Sequence, residues 1–149
     1  MSKVTISLVS WSDRQADLIS VRRSVFIEQQ NVPEEIEIDG RDPDCYHVLA
    51  CDRSGRAVGT ARLDEKGKIG RMAVLPEYRG MGIGAGMLEA IMDCGRAEGI
   101  TDFRLSAQIA AIGFYRKMGF ETYGEEFWEA GIRHINMSRT PDKKHGAIG

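Results

Sequence analysis

Lys68-Ile-Gly-Arg-Met-Ala-Val-Leu-Pro-Glu-Tyr-Arg-Gly-Met-Gly-Ile-Gly-Ala-Gly86 is the stretch that decides the reading of this 149-residue chain. An apolar run ends at Leu75. Pro76 has no backbone N–H to give a sheet ladder, so a strand stops there. A basic, glycine-rich turn follows, Arg79 to Gly84. Beyond it Met87, Leu88, Ile91 and Met92 recur at helical spacing. Strand, glycine turn and helix is the pattern. The first turn of a helix carries N–H groups without internal partners and a partial positive charge. Glycines before it let a ligand approach the backbone closely. The combination binds anions, pyrophosphate above all.

The bulk numbers set the frame. A length of 149 residues suits one domain, which we expect over 1–140, with 141–149 as a flexible C-terminal tail. A net charge of −2 argues against a nucleic-acid partner. No apolar run approaches the roughly 20 residues of a membrane span, and the N-terminus is too polar for a signal peptide. Cys45, Cys51 and Cys94 are odd in number and form no Cys-x-x-Cys. The expectation is a cytoplasmic protein without a structural metal.

Outward from the glycine turn, Val4, Ile6 and Leu8 alternate with neighbours as an opening strand. A helix should follow, N-capped at Ser12 or Asp13 and ending before Pro33. Tyr46–Asp52, Ala57–Leu63 and Ile69–Leu75, separated by turns, predict an antiparallel meander. After the second helix come a strand near Asp102–Ala107, a short helix from Gln108 to Met118, and late strands over Glu121–Phe127 and Ile132–Met137. The order β-α-β-β-β-α-β-α-β-β gives an α+β fold, an α/β/α sandwich. Its sheet should be mixed, mostly antiparallel and six- to seven-stranded, flanked by helices. The segment Pro33–Asp44 holds Glu34, Glu35, Glu37, Asp39, Asp42 and Asp44 against Arg41 alone. It reads either as a solvated acidic loop or as a funnel for a cationic substrate.

Which pyrophosphate ligand fits is narrowed by what the turn lacks. No lysine and hydroxyl follow the glycines, so it is not a P-loop. Gly80-x-Gly82-x-x-Ala85 matches a dinucleotide fingerprint, but the next strand ends at Ala107-Gln108 without a carboxylate for the ribose. Arg79-x-x-Gly82-x-Gly84 instead resembles the acetyl-CoA pyrophosphate loop of the GNAT superfamily of N-acetyltransferases. A second motif lies downstream: Gln108-Ile-Ala-Ala111-Ile-Gly-Phe114-Tyr115-Arg-Lys117-Met-Gly119-Phe120 is similar to that superfamily's Asn-x-x-Ala-x-x-Leu-Tyr-x-Lys-x-Gly-Phe, with Gln for Asn and Phe for Leu. The front third, Arg22-Arg-Ser-Val25-Phe26-Ile-Glu28-Gln-Gln30-Asn-Val-Pro33, then Glu37-Ile-Asp39-Gly and His47, resembles the ElaA/YjcF-like branch, as does Ala130-Gly131-Ile132-x-His134. One departure stands out: the Glu-Gln pair expected after Val-Phe-x-x reads Gln29-Gln30.

The resemblance implies transfer of the acetyl group of acetyl-CoA to a primary amine of a small molecule or peptide. A non-catalytic acyl-CoA-binding module is the alternative. A lysine-like amine is mostly protonated at pH 7, a deficit of about 4.6 kcal/mol, so a general base is needed. By the resemblance Arg79, Gly80, Met81, Gly82, Ile83, Gly84 and Ala85 would hold the pyrophosphate. Met72, Ala73 and Val74 would pair with the pantetheine arm as an added strand does, and an N–H there would bind the thioester oxygen. Gln108 and Phe114 would flank the cofactor, Arg116 or Lys117 would meet outer phosphates, and Tyr115 would be the acid. Glu37, Asp39 and His47 are the base candidates, with Glu28 a weaker one; His134 reads as structural. The fold would permit a homodimer through its late strands. No metal is expected.

Overall fold

The computed structural model describes residues 4–32 and 39–140. Pro33, Glu37 and the expected tail 141–149 lie outside the described residues. Among the described residues, seven strands and three α-helices follow in the order the sequence predicts. They are β1 (Thr5–Val9), α1 (Trp11–Arg22), β2 (Tyr46–Cys51), β3 (Ala57–Leu63), β4 (Ile69–Val74), α2 (Ile83–Ala97), β5 (Phe103–Gln108), α3 (Ile112–Lys117), β6 (Glu121–Glu129) and β7 (Ile132–Arg139).

The strands form two antiparallel sheets, β1-β2-β3-β4 and β5-β7-β6, where the sequence suggests one mixed sheet. They meet at a single parallel bridge, Lys68 to Arg104, where the Arg104 N–H donates to the Gly67 carbonyl at 3.0 Å. All seven residues of β3 are buried, so helices cover both faces of the first sheet. A Cβ on Gly59 would meet Met87 of α2, and Leu63 reaches Gly95 of the same helix. By the two-residue period of a strand, Val58, Thr60 and Arg62 turn toward α1. On α2, Met87, Leu88, Ile91 and Met92 are fully buried, each stabilising the fold by roughly 1.5–3 kcal/mol. No helix among the described residues is long and apolar enough to cross a membrane.

Two local details differ from the sequence reading. The cap of α1 is Ser10, whose hydroxyl accepts from the Asp13 N–H at 3.2 Å. Trp11 is already helical, so Ser12 and Asp13 fall inside the first turn. At its far end α1 runs into a π-helical stretch, Arg23–Gln29, in which the Gln30 N–H reaches the Val25 carbonyl five residues back. Such wider turns frequently sit at functional sites.

The joint between the sheets is sterically exacting. Gly67 has φ +93°, and a Cβ there would lie 2.3 Å from the Asp102 carbonyl oxygen, a backbone atom that has nowhere to go. Gly67→Ala is therefore expected to cost about 2–4 kcal/mol, left-handed strain and overpacking together. Gly55→Ala shares the strain (φ +89°) but faces open space, and should cost only about 1 kcal/mol. Urea denaturation of the two variants checks the difference; equal losses would remove the steric explanation.

Candidate active site

Beyond the Lys68–Arg104 bridge, β4 and β5 run parallel but part. The cause lies in β4. Its pairing with β3 shifts between Thr60 and Arg62, Arg71 has φ +50°, and the Thr60 hydroxyl donates to the Arg71 carbonyl at 3.0 Å. That is a β-bulge, which bends a strand away from its neighbour. The gap it opens is a cavity of about 440 Å³, walled by Met72, Ala73 and Val74 of β4, by Leu105, Ser106 and Gln108 of β5, and by Phe114 and Tyr115 of α3. The Leu75 N–H bonds the Val58 carbonyl. By alternation Val74 turns its peptide groups into the cleft, and its carbonyl accepts from Arg79 Nε at 2.9 Å.

The glycine turn closes one end. Pro76–Tyr78 form a single 3-10 turn, Gly80 and Gly82 both have φ +80°, and a Cβ on either would meet only open space. Gly82 is the N-cap of α2 and offers no side chain. The first helical bond runs from the Gly86 N–H to the Gly82 carbonyl at 3.0 Å, so the N–H groups of Ile83, Gly84 and Ala85 have no helical partner. Left-handed glycines, open space and unpaired donors fit a phosphate group. Gly84 lines the cleft, while the Ile83 side chain is buried in the core and Met81 is exposed. Lys117 is exposed on α3 and does not line the cleft.

Tyr115 is half-buried in the wall, edge-on to Phe114 (centroids 5.0 Å apart) and to Phe120 (6.0 Å). Burial pushes its phenol up to about 12, so it keeps its proton throughout the physiological range.

The base candidates fare differently. Asp39 accepts from Arg62 at 3.0 and 3.1 Å and from Arg71 at 3.1 Å. Burial opposes its ionisation, but the Arg62 guanidinium and the Arg41 N–H overcome this and hold the carboxyl far below the ordinary range. A carboxylate held this way has little pull on a proton. His47 is buried, with Nε2 2.9 Å from the Asp42 carbonyl and its ring 5.4 Å from that of Trp11. It lines a separate hollow with Trp11 and Tyr46, and burial depresses its pKa. Glu28 is exposed on the π-helical stretch after α1 and lines a separate surface hollow with α1 residues. Asp42 is fully engaged with Arg22 and Arg62, and Arg41 reaches Asp64. Neither Asp39 nor Asp42 is thus a free carboxylate for a cationic funnel.

Three residues gain a place that the sequence reading did not give them. Gln30 and Gln108 join their amides across the cleft mouth at 3.0 Å. Gln29 accepts from Arg79 at 3.0 Å; a glutamate there would form an ion pair, whereas the amide leaves the positive charge of Arg79 uncompensated by this contact. His134 lines the cleft, directly across β5–β7 from Gln108. The signal for it was the Ala130-Gly131 turn, which sets where β7 starts and so which of its residues meets Gln108. Among the described residues no three His, Cys, Asp or Glu side chains converge as a metal site would need.

The chain is similar to known proteins in sequence and in fold. The sequence profile of the family described as an acetyltransferase (GNAT) domain matches residues 12–141. YjcF of Bacillus subtilis, named an uncharacterised N-acetyltransferase, is 36% identical over 127 residues, covering 83% of this chain and 90% of its own. The solved acyl-CoA N-acyltransferase from Pseudomonas aeruginosa superposes with a TM-score of 0.82 at 28% identity, over 93% of this chain and 100% of that one. Escherichia coli ElaA superposes with 0.79 at 27% identity, over 92% and 99%.

Proposed function

The chain belongs to the GNAT family of acetyltransferases, and on that footing we propose that it carries the acetyl group of acetyl-CoA to a primary amine of a small molecule or peptide. The observation that carries the proposal is the parting of β4 from β5. It leaves a strand edge free, ends on the unpaired N–H groups of the glycine turn, and sets Tyr115 in the wall between them.

Bound acetyl-CoA supplies an activated acetyl thioester. The N–H groups from Gly80 to Ala85, with Arg79, hold its pyrophosphate. The free edge of Met72–Val74 takes the pantetheine arm as an added strand. An N–H of this stretch, Val74 by the strand's alternation, donates to the thioester oxygen as negative charge gathers there. Gln108 and Phe114 hold the arm in register, and Tyr115 gives its phenolic proton to the sulfur as the carbon–sulfur bond breaks. Three free cysteines support a reducing, cytoplasmic setting. The exposed edge strand β6, with Tyr123 and Trp128 uncovered, is where a second copy would pair.

A thiol-release assay with acetyl-CoA across a panel of small amines and lysine peptides tests the reading. Release of CoA that depends on the amine, with acetylated product seen by mass spectrometry, is the expected result. Tight CoA binding with no release for any amine would make the protein an acyl-CoA-binding module.

A further inference from the structure

We propose that His134 is the general base that takes the proton from the acceptor amine; the inference rests on the transferase reading above. His134 sits on β7 with only 7% of its surface exposed, yet it lines the same cleft as Gln108 and Tyr115. Its ring is held twice. Phe127 of β6 stacks on it, 19° from parallel with centroids 5.8 Å apart. Nδ1 lies 2.7 Å from the Ile132 carbonyl oxygen. A carbonyl only accepts, so Nδ1 carries the hydrogen and donates it. In a neutral imidazole that leaves the lone pair on Nε2. No side-chain nitrogen or oxygen among the described residues is both sealed from solvent and without a partner. Among the described residues the ring makes no other hydrogen bond, so Nε2 is not sealed from solvent, and the cleft is what His134 lines. A ring fixed in plane and tautomer, with its basic nitrogen facing a reaction cleft, is the arrangement a general base needs.

Among the described residues, the other charged or titratable groups lining the cleft are Lys68 and Arg71 of β4, Arg79 of the turn, Tyr115 of α3 and Glu129 of β6. The cations cannot accept a proton, and Tyr115 already holds its own. Glu129 could accept one, but it is exposed at the end of β6. Asp39 is locked to Arg62 and Arg71, and His47 opens elsewhere.

The acceptor arrives as R–NH3⁺ and gives one proton to Nε2 of His134, which becomes an imidazolium donating from both nitrogens. The neutral amine then attacks the thioester carbon. A carbon–nitrogen bond forms and the carbon–sulfur bond breaks. Sulfur leaves with the bonding pair and is protonated by Tyr115, which recovers a proton from the nitrogen that attacked. Products are the amide and CoA–SH, and His134 releases its proton to water.

The test compares two acceptors on wild type, His134→Gln and Glu129→Gln. One is an alkylamine, protonated at neutral pH. The other is an aryl hydrazine, already neutral there and in no need of a base. His134→Gln is expected to lower kcat/KM for the alkylamine roughly 100-fold at neutral pH, a loss that shrinks as pH rises toward the amine's own pKa and the amine arrives already neutral. For the hydrazine it should lower kcat/KM only a few-fold, with CoA affinity unchanged. A merely structural histidine would lower both acceptors equally. That result, or the same alkylamine-specific, pH-dependent loss in Glu129→Gln instead, overturns the assignment. The wild-type protein supplies an independent reading: long-range proton–nitrogen NMR is expected to show the hydrogen of His134 on Nδ1, and a hydrogen on Nε2 overturns the proposal whether or not the variant folds. If the wild type binds CoA but acetylates neither acceptor, the transferase reading fails and takes the base with it. An active wild type with an indifferent His134→Gln sinks the base alone.

Discussion

Tyr115→Phe is expected to lower kcat for acetyl transfer by about 10²- to 10⁴-fold, the range that positioned proton transfer contributes, while leaving CoA affinity nearly unchanged. The substitution removes one oxygen and keeps the ring, so the edge contacts with Phe114 and Phe120 survive and the wall keeps its shape. Magnitudes decide how the phenol works. Its pKa of about 12 lies well above the reference thiol value near 8.5, so full transfer to a solvated thiolate would be uphill by roughly 4.8 kcal/mol. The sulfur, however, departs inside the same cleft, where desolvation raises its proton affinity too. On the proposed mechanism Tyr115 therefore donates to a sulfur that is still becoming charged, with the proton moving as the bond breaks. Burial also means that Tyr115 puts no alkaline limb on the wild-type kcat profile below about pH 10. Stopped-flow thiol release from pH 6 to 10 checks both statements. Unchanged turnover in the variant, or an alkaline limb near pH 9 that the variant loses, would exclude the role.

What the sequence shows plainly here is what local chemistry dictates. Pro76 ends β4, Gly80 and Gly82 adopt left-handed conformations that other residues avoid, and Met87 to Met92 repeat at helical spacing; each of these is decided within a few residues. The glycine turn and α3 could be placed on that basis, with Tyr115 on the second. The cleft between them could not. It exists because of a bulge at Arg71, and nothing around Gly70-Arg71-Met72 announces one. The bulge is chosen by what β3 presents opposite, a Thr60 hydroxyl within reach of a carbonyl eleven residues on. Asp39 misled for the same reason. Its carboxylate looks free beside Glu37, but its partners Arg62 and Arg71 are 23 and 32 residues distant and come close only when β3 and β4 pair. His134 went the other way: a histidine in a late strand looks structural until the β5–β7 register sets it against Gln108. Local punctuation is thus readable, while registers and long-range ion pairs are properties of the assembled sheets.

Those ion pairs carry the largest expected effect on stability. Asp42 is 2% exposed, as is Arg22. Its carboxylate accepts from Arg22 at 2.9 and 3.2 Å and from Arg62 at 3.0 Å. Trp11 lies over the Arg22 guanidinium at 5.7 Å. Asp42→Asn keeps the shape and removes the charge beneath two buried guanidinium groups. Breaking a buried pair from one side costs about 3–5 kcal/mol, and the melting temperature should fall by on the order of 10 °C. Arg22→Met together with Asp42→Leu should recover much of the loss, because apolar residues can replace a buried pair at little cost and Arg62 keeps Asp39. Acid should act on the same network. Burial raises the Asp42 pKa, but the two arginines outweigh it and the net direction is down. A carboxyl with a depressed folded pKa adds stability above its unfolded value near 3.9 and loses it as pH falls toward the folded one. His47, depressed by burial, obeys the same sign from a higher start: its contribution is complete above about 6.5 and declines below it. Wild-type stability, followed by urea denaturation from pH 8 to 3, should therefore soften first below about 6.5 and then fall more steeply below about 4. Asp42→Asn should lack part of the steeper fall, the remainder belonging to Asp39, whose carboxyl is also held down by arginines. An Asp42→Asn protein that melts with the wild type, or one whose acid profile overlays it, would show that the cluster beneath α1 does not hold the sheet and helix together.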